Sequence, residues 1–486
     1  MLAWAAVIAL GSLLATQPSQ AQPSLTPMES LGKHVFFDEN LSYPTGQACS
    51  SCHDPATGFT SPNALTNLFG GVQRGAILQR SGNRRPPTAG YATFTEKFDF
   101  TAVSGGVFWD GRATGFFVTQ DIFPGTWSTA KVDEMKVHLT PAVDQAMGPF
   151  LNDLEQNLPS PRELCRRVAA SSYSDLWEQA WDAPLQCNGP GAAELAHKRI
   201  AFAVGVYEAS DEFNSFSSWR DIALALDSDS AFPLDLFTPA QNTGHELFYD
   251  STIGCARFCH SSSFRADGTD PKERYVKDDA GYFNIGTPAN VYNPWYRMSN
   301  VYDDNGNIIN PAGFSWVDLG IALRSDADFS GEAGKVKVPT LRNVDKRPNP
   351  LFPKDFAHNG YFKSLESIVD FYNTRDMKPV CTDAAGSPQR FVPDVLAIQR
   401  GCWPLAEVEE NVFNCDDGAH CKVLLGEGET FETYCDNPDN DRDIGNLCLS
   451  AEEESDIVAY LKTLSDLQTP SPPTYGPVSG PPGRRR

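Results

Sequence analysis

A short cluster of two cysteines and a histidine constrains this chain more than any other feature. Residues Cys49–His53 read CSSCH, the C-x-x-C-H spacing. Two neighbouring thiols can bond to the two vinyl groups of a haem, and the histidine that follows can bind the iron. A disulfide beside an unrelated histidine is one alternative. Part of a zinc site is another, although the next histidine is His138 and zinc needs more ligands nearby. The motif predicts covalent haem c on Cys49, Cys52 and His53.

The block that contains this motif occurs again about 210 residues later. Gly32–His53 reads GKHVFFDENLSYPTGQACSSCH, and Gly244–His260 reads GHELFYDSTIGCARFCH. Both begin with glycine, reach an aromatic residue and aspartate, and end in a cysteine pair followed at once by histidine. A repeat of this kind predicts two related domains built around the same cofactor.

The second motif is one residue longer than the first. Three residues separate Cys255 from Cys259, and His260 follows directly. Because only the side-chain ends are pinned, the longer loop can bulge and still carry haem. The alternative is a disulfide that leaves His260 as an ordinary histidine. The register of the repeat favours a second covalent haem on Cys255, Cys259 and His260.

Length and helical patterns support two mainly helical, loop-rich domains. A chain of 486 residues exceeds what one hydrophobic core usually serves. Glu194–Glu208 carries apolar residues at helical spacing, and Ser450 with Glu453 forms a capping box before another apolar face. We expect domains at residues 22–236 and 237–468. A disordered tail rich in proline and glycine follows at 469–486.

The N-terminal segment and the net charge indicate the location of the protein and the kind of partner it binds. The first 21 residues carry no charged side chain and end in Ser-Gln-Ala, which predicts a signal peptide cleaved after Ala21. A lipid-facing anchor helix is the alternative, although the apolar run is short for a span. We therefore expect a periplasmic or otherwise exported protein without stable membrane insertion. The formal net charge of -23 argues against nucleic acid and favours a cationic partner or a small molecule.

Eight cysteines lie outside the two motifs, an even number that suits disulfides in an oxidising compartment. Proximity in the sequence predicts the pairs Cys165–Cys187 and Cys381–Cys402. The other four would staple the acidic loop between residues 411 and 449: Cys415, Cys421, Cys435 and Cys448. A metal site built from Cys415, His420 and Cys421 is the alternative in that loop.

Nine blocks along the chain carry a resemblance to a known family. They read LGKHVFFDENLS, CSSCHDPATGF, FWDGRA, DQAMGPFLNDLEQN, GCARFCH, FNIGTP, VPTLRNV, HNGYFKSLESIVDFYN and the final helix. In this order they resemble the bacterial di-haem cytochrome c peroxidases and their MauG-like relatives, over about residues 28–468. The resemblance implies two cytochrome c-like domains, each around one covalent haem c.

The resemblance also implies an activity. It points to reduction of hydrogen peroxide to water, with electrons from a small c-type cytochrome or copper protein that enter through the second haem. A MauG-like activity is the alternative. There, peroxide oxidises aromatic residues of a partner protein, and oxidising equivalents are shared between both haems. A plain electron-carrier cytochrome is the alternative of another class. The family pattern leaves a homodimer open.

Individual residues of the first half acquire roles through the resemblance. His53 matches the axial ligand of the peroxidatic haem, and Glu155 matches the acid–base carboxylate near its iron. Gln145 and Pro149 match the distal pocket of that haem. Trp109 matches the tryptophan that relays electrons between the haems. A surface loop, and a tryptophan that merely packs in the core, are the alternatives.

In the second half, the resemblance makes His260 the ligand of the electron-transfer haem. Tyr372 is the expected sixth ligand and Met377 the second choice; Tyr372 as a packed helix residue is the alternative. Ala357 stands where relatives that read YMHNG carry methionine. An oxygen ligand such as Tyr372 stabilises ferric iron relative to methionine, which favours MauG-like behaviour.

The chain departs from the family pattern in three places. The stretch GFTSPNALTNLFGGVQRG has no histidine to cap the first iron, and Phe69 falls there, so we expect an open, five-coordinate first haem. Arg85 stands at the asparagine of the calcium site that the family often has, which argues against calcium. About 30 residues are inserted between FWDGRA and DQAMGPF.

Overall fold

The structure is a computed structural model that describes residues 24–227, 231–250, 253, 255, 259, 260, 281–413, 431–435 and 444–475. Helices joined by long loops make up most of this part of the chain, which agrees with the expected mainly α class. Within it, one two-stranded ladder forms the sheet structure. The predicted signal peptide lies outside the described residues, as do Cys415, His420 and Cys421.

The helices follow one another in chain order. Those up to residue 227 are α1 (Pro27–Phe37), α2 (Ala64–Phe69), α3 (Thr129–Met135), α4 (Pro141–Ala146), α5 (Pro161–Ala169), α6 (Asp175–Trp181), α7 (Ala192–Glu208) and α8 (Trp219–Leu226). Those beyond it are α9 (Pro239–Tyr249), α10 (Leu365–Thr374), α11 (Asp394–Arg400), α12 (Phe431–Cys435) and α13 (Ala451–Lys462). Strands β1 (Tyr282–Phe283) and β2 (Val336–Lys337) pair antiparallel.

Capping boxes fix the starts of the helices that open and close the fold. Helix α1 begins after Thr26, whose side chain accepts from the backbone of Glu29 while the Glu29 carboxylate accepts from Thr26 N–H. Helix α13 begins after Ser450, which makes the same exchange with Glu453. Each box satisfies backbone donors that a helix start leaves open. The second box is the one predicted from the sequence.

The first hydrophobic core forms where α1 crosses α7. Leu31, Val35 and Phe36 of α1 are fully buried in it. The crossing is close because Gly32 has no side chain: a Cβ there would lie 1.9 Å from Ala203 O of α7. Glycine is therefore required at this point of contact.

The second core repeats this arrangement with α9 and α13. A Cβ on Gly244 of α9 would lie 1.9 Å from Asp456 O of α13. Ile457, Val458 and Leu461 of α13 are buried beside it. The two glycines that open the repeated blocks thus permit the same close crossing of helices. The boundary predicted near residue 236 stays a prediction.

Disulfides brace both cores. Cys165–Cys187 and Cys381–Cys402 are bonded, which confirms both predicted pairs. Cys435–Cys448 closes part of the acidic loop, as expected of the remaining four cysteines.

The insertion after FWDGRA is a structural element of the first core. It carries α3, and Ile122, Phe123 and Trp127 are buried from it. The Trp127 ring stacks on Trp181 of α6, with centroids 5.5 Å apart. Large aromatic side chains bury much apolar area, so the insertion contributes to the stability of the first core.

The C-terminal end of the described residues contacts the first helix of the first core. Tyr475, within the predicted tail, donates its hydroxyl to His34 O at 2.8 Å. Residues 476–486 lie outside the described residues, and their disorder stays a prediction. Among the helices that the structure describes, none is both long enough and apolar enough to cross a bilayer.

Candidate functional site

The first cysteine motif forms one tight turn beside the first core. Cys49–Ser51 is a 3-10 turn, and the backbone N–H groups of Cys52 and His53 both donate to Cys49 O, at 3.1 and 2.9 Å. The turn brings Cys52 and His53 to the wall of a large cavity. This first cavity encloses about 1270 Å³ of empty space, its open mouth included.

The His53 ring is held in the state that an iron ligand needs. Its Nδ1 lies 3.0 Å from Phe59 O. A carbonyl oxygen only accepts, so Nδ1 carries the proton and Nε2 keeps its lone pair. Burial lowers the pKa of His53, which favours the neutral ring. A neutral imidazole anchored through its second nitrogen is the usual form of a metal-binding histidine.

The two thiols of this motif fit thioether bonding better than either alternative. Neither Cys49 nor Cys52 belongs to a disulfide. Burial raises the pKa of Cys52 to about 12 and raises that of Cys49 as well. Among the described residues, no group of three Cys, His, Asp or Glu side chains is placed to hold a metal ion.

Glu155 and Gln145 line the same cavity as His53. Asn152 Nδ2 donates to Glu155 Oε1 at 2.7 Å and orients the carboxyl group. Burial raises the pKa of Glu155, while the nearby Arg112 acts in the opposite direction. A carboxyl group whose pKa moves toward neutrality is suited to both accept and donate a proton.

Two residues from the resemblance lie away from this cavity. Pro149 is half-buried and accepts a hydrogen bond from Gln156 N–H, and it is not among the described residues that line the cavity. Phe69 ends α2 with 60% of its surface exposed and contacts Tyr292 edge-on. No residue of α2 lines the cavity, although Val72 to Arg74 just beyond it do. The five-coordinate first haem stays a prediction.

Trp109 forms part of the wall of two cavities. It lines the first cavity and also a second one, which encloses about 1410 Å³ with its mouth. Its indole N–H donates to Arg85 O at 2.7 Å, and its own carbonyl accepts from Lys337 N–H at 2.8 Å. The ring is 5% exposed, so it is held between the cavities on all sides.

The second cavity contains the second motif. Cys255, Cys259 and His260 line it, together with a mostly apolar wall from β2, α10 and α13. His260 Nδ1 is buried without a hydrogen-bond partner, and burial lowers the pKa of this ring to about 4. A buried polar atom without a partner is costly. The neutral ring therefore fits a group that the polypeptide itself does not supply.

Tyr372 shares this second cavity, whereas Met377 does not line it. Tyr372 lies on α10, and burial raises the pKa of its hydroxyl, with Cys259 and Cys255 close enough to add to the shift. Met377 follows the helix and donates its N–H to Thr374 O. Ala357 lines the cavity as well, and its methyl group offers no ligand atom. The geometry thus favours Tyr372 over Met377.

The calcium position does not fit calcium. Arg85 Nε donates to Asp355 Oδ1 at 2.8 Å, and both side chains are buried. Calcium takes six to eight oxygen ligands, whereas this position offers a guanidinium cation. The positive charge at this position belongs to the polypeptide itself.

A row of charged side chains extends from the wall of the first cavity to Asp318, and the sequence did not predict it. Arg84 contacts Asp110 at 2.7 Å and holds Asp318 with two hydrogen bonds of 2.7 Å. Arg112, which is about half exposed, contacts the same oxygen of Asp110 at 2.8 Å. Asp110 and Arg112 stand in the block FWDGRA. Arg84 and Asp318 are 234 positions apart, so their pairing has no local sequence signature.

Glu208 is a second carboxyl group of the first cavity. It is the last residue of α7, and burial raises its pKa from 4.5 to about 8. The helical pattern that ended at Glu208 placed it on a helix, but nothing in that pattern distinguished it from a surface glutamate.

Comparison with known proteins shows which family the chain resembles. Residues 26–227 match the family model described as di-haem cytochrome c peroxidase. The chain is 29% identical over 357 residues to the methylamine utilization protein MauG of Paracoccus denitrificans, which covers 73% of this chain and 76% of MauG. The first part of the chain is thus similar to di-haem cytochrome c peroxidases, and the similarity to MauG extends over most of the chain.

Other relatives agree with this similarity. The cytochrome-c peroxidase IdrP2 of Denitromonas iodatirespirans is 25% identical over 367 residues, covering 73% of this chain and 75% of that protein. The diheme peroxidase BthA from Burkholderia thailandensis has a similar structure, with a TM-score of 0.57 and 23% identity over 93% of this chain and 91% of that one. A MauG-like protein associated with microbial copper homeostasis gives a TM-score of 0.52 at 18% identity, covering 93% of each chain. These structural likenesses concern the fold.

Proposed function

We propose that this protein is a di-haem peroxidase that reduces hydrogen peroxide to two waters, using two electrons from a small redox protein and two protons from solvent. One observation carries the proposal. Glu155 and Gln145 share a cavity with the first haem motif, and Trp109 separates that cavity from the one that holds the second motif.

Two residue sets would hold the cofactors. Cys49, Cys52 and His53 would hold the first haem c, and the second would be held by Cys255, Cys259 and His260. When bound, haem iron supplies a site for peroxide and exchanges electrons with it. The remaining chemistry, which is proton transfer and electron delivery, falls to side chains of this chain.

Glu155 would move the proton that peroxide cleavage requires. Heterolytic cleavage removes a proton from one peroxide oxygen and returns it to the other. Glu155 is held by Asn152 and has a raised pKa, so it can take the proton at Oε2 and give it back. Gln145 adds a polar amide in the same cavity and would orient peroxide.

Trp109 would carry electrons between the two sites. Its ring lines both cavities, and its N–H is held by the carbonyl of Arg85. A backbone carbonyl is a poor proton acceptor, so electron transfer through the ring need not move the indole proton. The second cavity would receive electrons from a c-type cytochrome or copper protein of the periplasm or another exported space, and the net charge of -23 favours a basic donor.

A MauG-like function is the second candidate, because two observations favour it. Tyr372 presents an oxygen atom to the second cavity, and Met377 does not reach it. The chain is also 29% identical to MauG, against 25% for IdrP2. In that case the electrons would come from aromatic side chains of a partner protein.

Steady-state turnover separates these functions. We expect the protein to oxidise two equivalents of a reduced one-electron cytochrome c for each peroxide consumed. Trp109→Phe should slow this turnover while the first reaction with peroxide stays fast, and Trp127→Phe, a buried tryptophan of the insertion, serves as the control. No oxidation of any reduced cytochrome, together with peroxide-dependent oxidation of aromatic residues on an added protein, would support the MauG-like function instead. If both irons were six-coordinate and did not react with peroxide, the protein would be an electron-carrier cytochrome without catalytic activity.

A further inference from the structure

A buried histidine beside Trp109 has no role in the function proposed so far. His358 is 6% exposed and lines the second cavity. Its ring meets that of Trp109 edge-on, with centroids 6.3 Å apart. It also lines a small polar cavity together with Asp318 and Glu407. The histidine therefore lies where electrons would pass between the two haem sites.

Both ring nitrogens of His358 are buried without a hydrogen-bond partner. Nε2 lies 3.8 Å from Asp318 Oδ2 and 3.9 Å from Glu407 Oε2. These distances exceed a direct hydrogen bond but lie within the range of strong electrostatic interaction. The three side chains line one small cavity together.

The two carboxylates differ in how firmly they are held. Arg84 donates twice to Asp318, and the pair keeps the pKa of Asp318 low, near 2. Glu407 accepts from the Tyr296 hydroxyl at 2.8 Å and from Arg390 at 3.3 Å. Burial and the charge of Asp318 raise the pKa of Glu407. Asp318 thus stays ionised, whereas Glu407 and His358 are the members that can change protonation.

Charged groups of both signs surround His358. The charged and titratable groups nearest to it are Asp318, Glu407 and Arg84, with Tyr296 and Arg390 behind Glu407. On the wall of the second cavity stand Arg85, His260, Lys337, Arg342, Lys354 and Tyr372. Burial lowers the pKa of His358 to about 4, so the ring is neutral at pH 7.

An electron that enters this low-dielectric region adds one negative charge to the cavity that His358 lines. Charges separated by a few ångströms interact strongly when water is excluded. A negative charge near His358 raises its affinity for a proton. The side chains of Arg84, Asp110 and Arg112 extend this electrostatic interaction toward the first cavity. Because arginine does not release its protons, these side chains cannot conduct protons.

We propose that His358 and Glu407 form a proton-loading site, which takes up one proton when an electron enters the second haem cavity and releases it when that electron passes on by way of Trp109. The inference rests on the function proposed for the two haems. In the loading step the external donor loses one electron, solvent gives one proton to the His358–Glu407 pair, and the net charge of the buried region stays constant.

The test measures proton uptake when the purified holoprotein is reduced. In weakly buffered solution with a pH-indicator dye, we expect close to one proton per electron taken up by the second haem at pH 7. The midpoint potential of that haem should fall by about 59 mV per pH unit above pH 4, since one pH unit is a tenfold change for a one-electron couple. His358→Gln should lose most of the uptake and flatten the slope. His197→Gln removes another buried histidine and should change neither.

Glu407→Gln keeps the test decisive if His358→Gln does not fold, because it should lower the pH at which the slope begins. Full proton uptake in a folded His358→Gln protein would overturn the proposal, as would an unshifted onset of the slope in Glu407→Gln or a wild-type potential that does not depend on pH. Failure of the proposed function looks different: the holoprotein would then hold fewer than two haems, or would not consume peroxide, whatever its proton uptake.

Discussion

At the residue scale, the chemistry of the first cavity rests on Glu155. Its carboxyl group is buried, is oriented by Asn152 and lines the same cavity as His53. Glu155→Gln keeps the shape and removes the titration. We expect the rate of reaction with peroxide to fall about 10²- to 10⁴-fold, the usual range for a general acid–base group. Stopped-flow absorbance of the haem measures it.

The matched control for that change is Glu178→Gln, an exposed glutamate of α6. It should react like the wild type. Equal haem content in all three proteins would show that the cofactor sites are intact. An unchanged rate in Glu155→Gln would remove this residue from the mechanism.

Glu208 makes a prediction about stability and pH. Its pKa is 4.5 in the unfolded chain and about 8 in the folded protein, so the folded state holds the proton longer. Stability should therefore fall as pH rises from about 4.5 to about 8. Each unit of pKa difference corresponds to about 1.36 kcal/mol, so the loss is of the order of a few kcal/mol. Glu208→Gln should remove it.

Denaturant unfolding at several pH values measures this effect. The variant should match the wild type near pH 5 and exceed its stability near pH 9. Glu194→Gln, at the exposed start of the same helix, should follow the wild-type curve. A variant that gains nothing at high pH would contradict the burial argument for Glu208.

At the scale of elements, two helix crossings depend on glycine. A Cβ at Gly32 or Gly244 would lie 1.9 Å from a backbone oxygen of the facing helix. Backbone cannot move aside as a side-chain end can. Gly32→Ala and Gly244→Ala should each destabilise the protein by about 1–3 kcal/mol or more, although alanine is the better helix former.

Unfolding midpoints in denaturant check this prediction, with Gly125→Ala and Gly331→Ala as controls. A Cβ at either control position meets no atom within 4 Å. The controls should be neutral within about 0.5 kcal/mol. Two neutral variants at the crossings would mean that the helices can separate without cost.

The elements that the sequence predicted were those with local signatures. Ser450 and Glu453 marked the start of α13, because a capping box is formed by neighbouring residues. The repeated blocks predicted two related domains but not the helix crossings that their glycines permit. Cys165–Cys187 and Cys381–Cys402 were found because their partners are close in the chain. The role of the insertion could not be predicted from the sequence. Trp127 is a core residue because it stacks on Trp181, which belongs to a later helix.

The site was predicted in part for the same reason. Each of the two cysteine motifs, and the block that contains Glu155, is contiguous in the sequence. The resemblance to the family could therefore predict the roles of their residues. His358 stands in such a block too, but its surroundings come from Asp318 and Glu407 on separate loops. Arg84 likewise meets Asp318 only in the folded chain. Electrostatic networks of this kind depend on tertiary contacts that spacing along the sequence does not encode.

At the scale of the whole molecule, charge governs the encounter with an electron donor. The net charge of -23 attracts a basic cytochrome over distances that salt shortens to about 10 Å at 0.1 M. We expect kcat/KM for a basic cytochrome c to fall at least about tenfold between low and high salt, since steering raises association rates by about 10- to 10³-fold. Steady-state assays across ionic strength measure the change.

An uncharged small-molecule reductant is the control for that experiment, and its rate should not depend on salt. A basic donor whose rate ignores ionic strength would contradict electrostatic steering. A rate that rises with salt would mean that the docking surface is positive despite the overall charge.

The account as a whole claims two covalently bound haems in one chain, one for each cysteine motif. Intact mass of the mature, denatured protein tests this most directly, because thioether bonds survive denaturation. We predict the polypeptide mass plus two haems, falling to one haem when Cys255 and Cys259 are both replaced by serine. A wild-type mass with one haem or none would contradict the claim, since Trp109 would then have no second site from which to receive electrons.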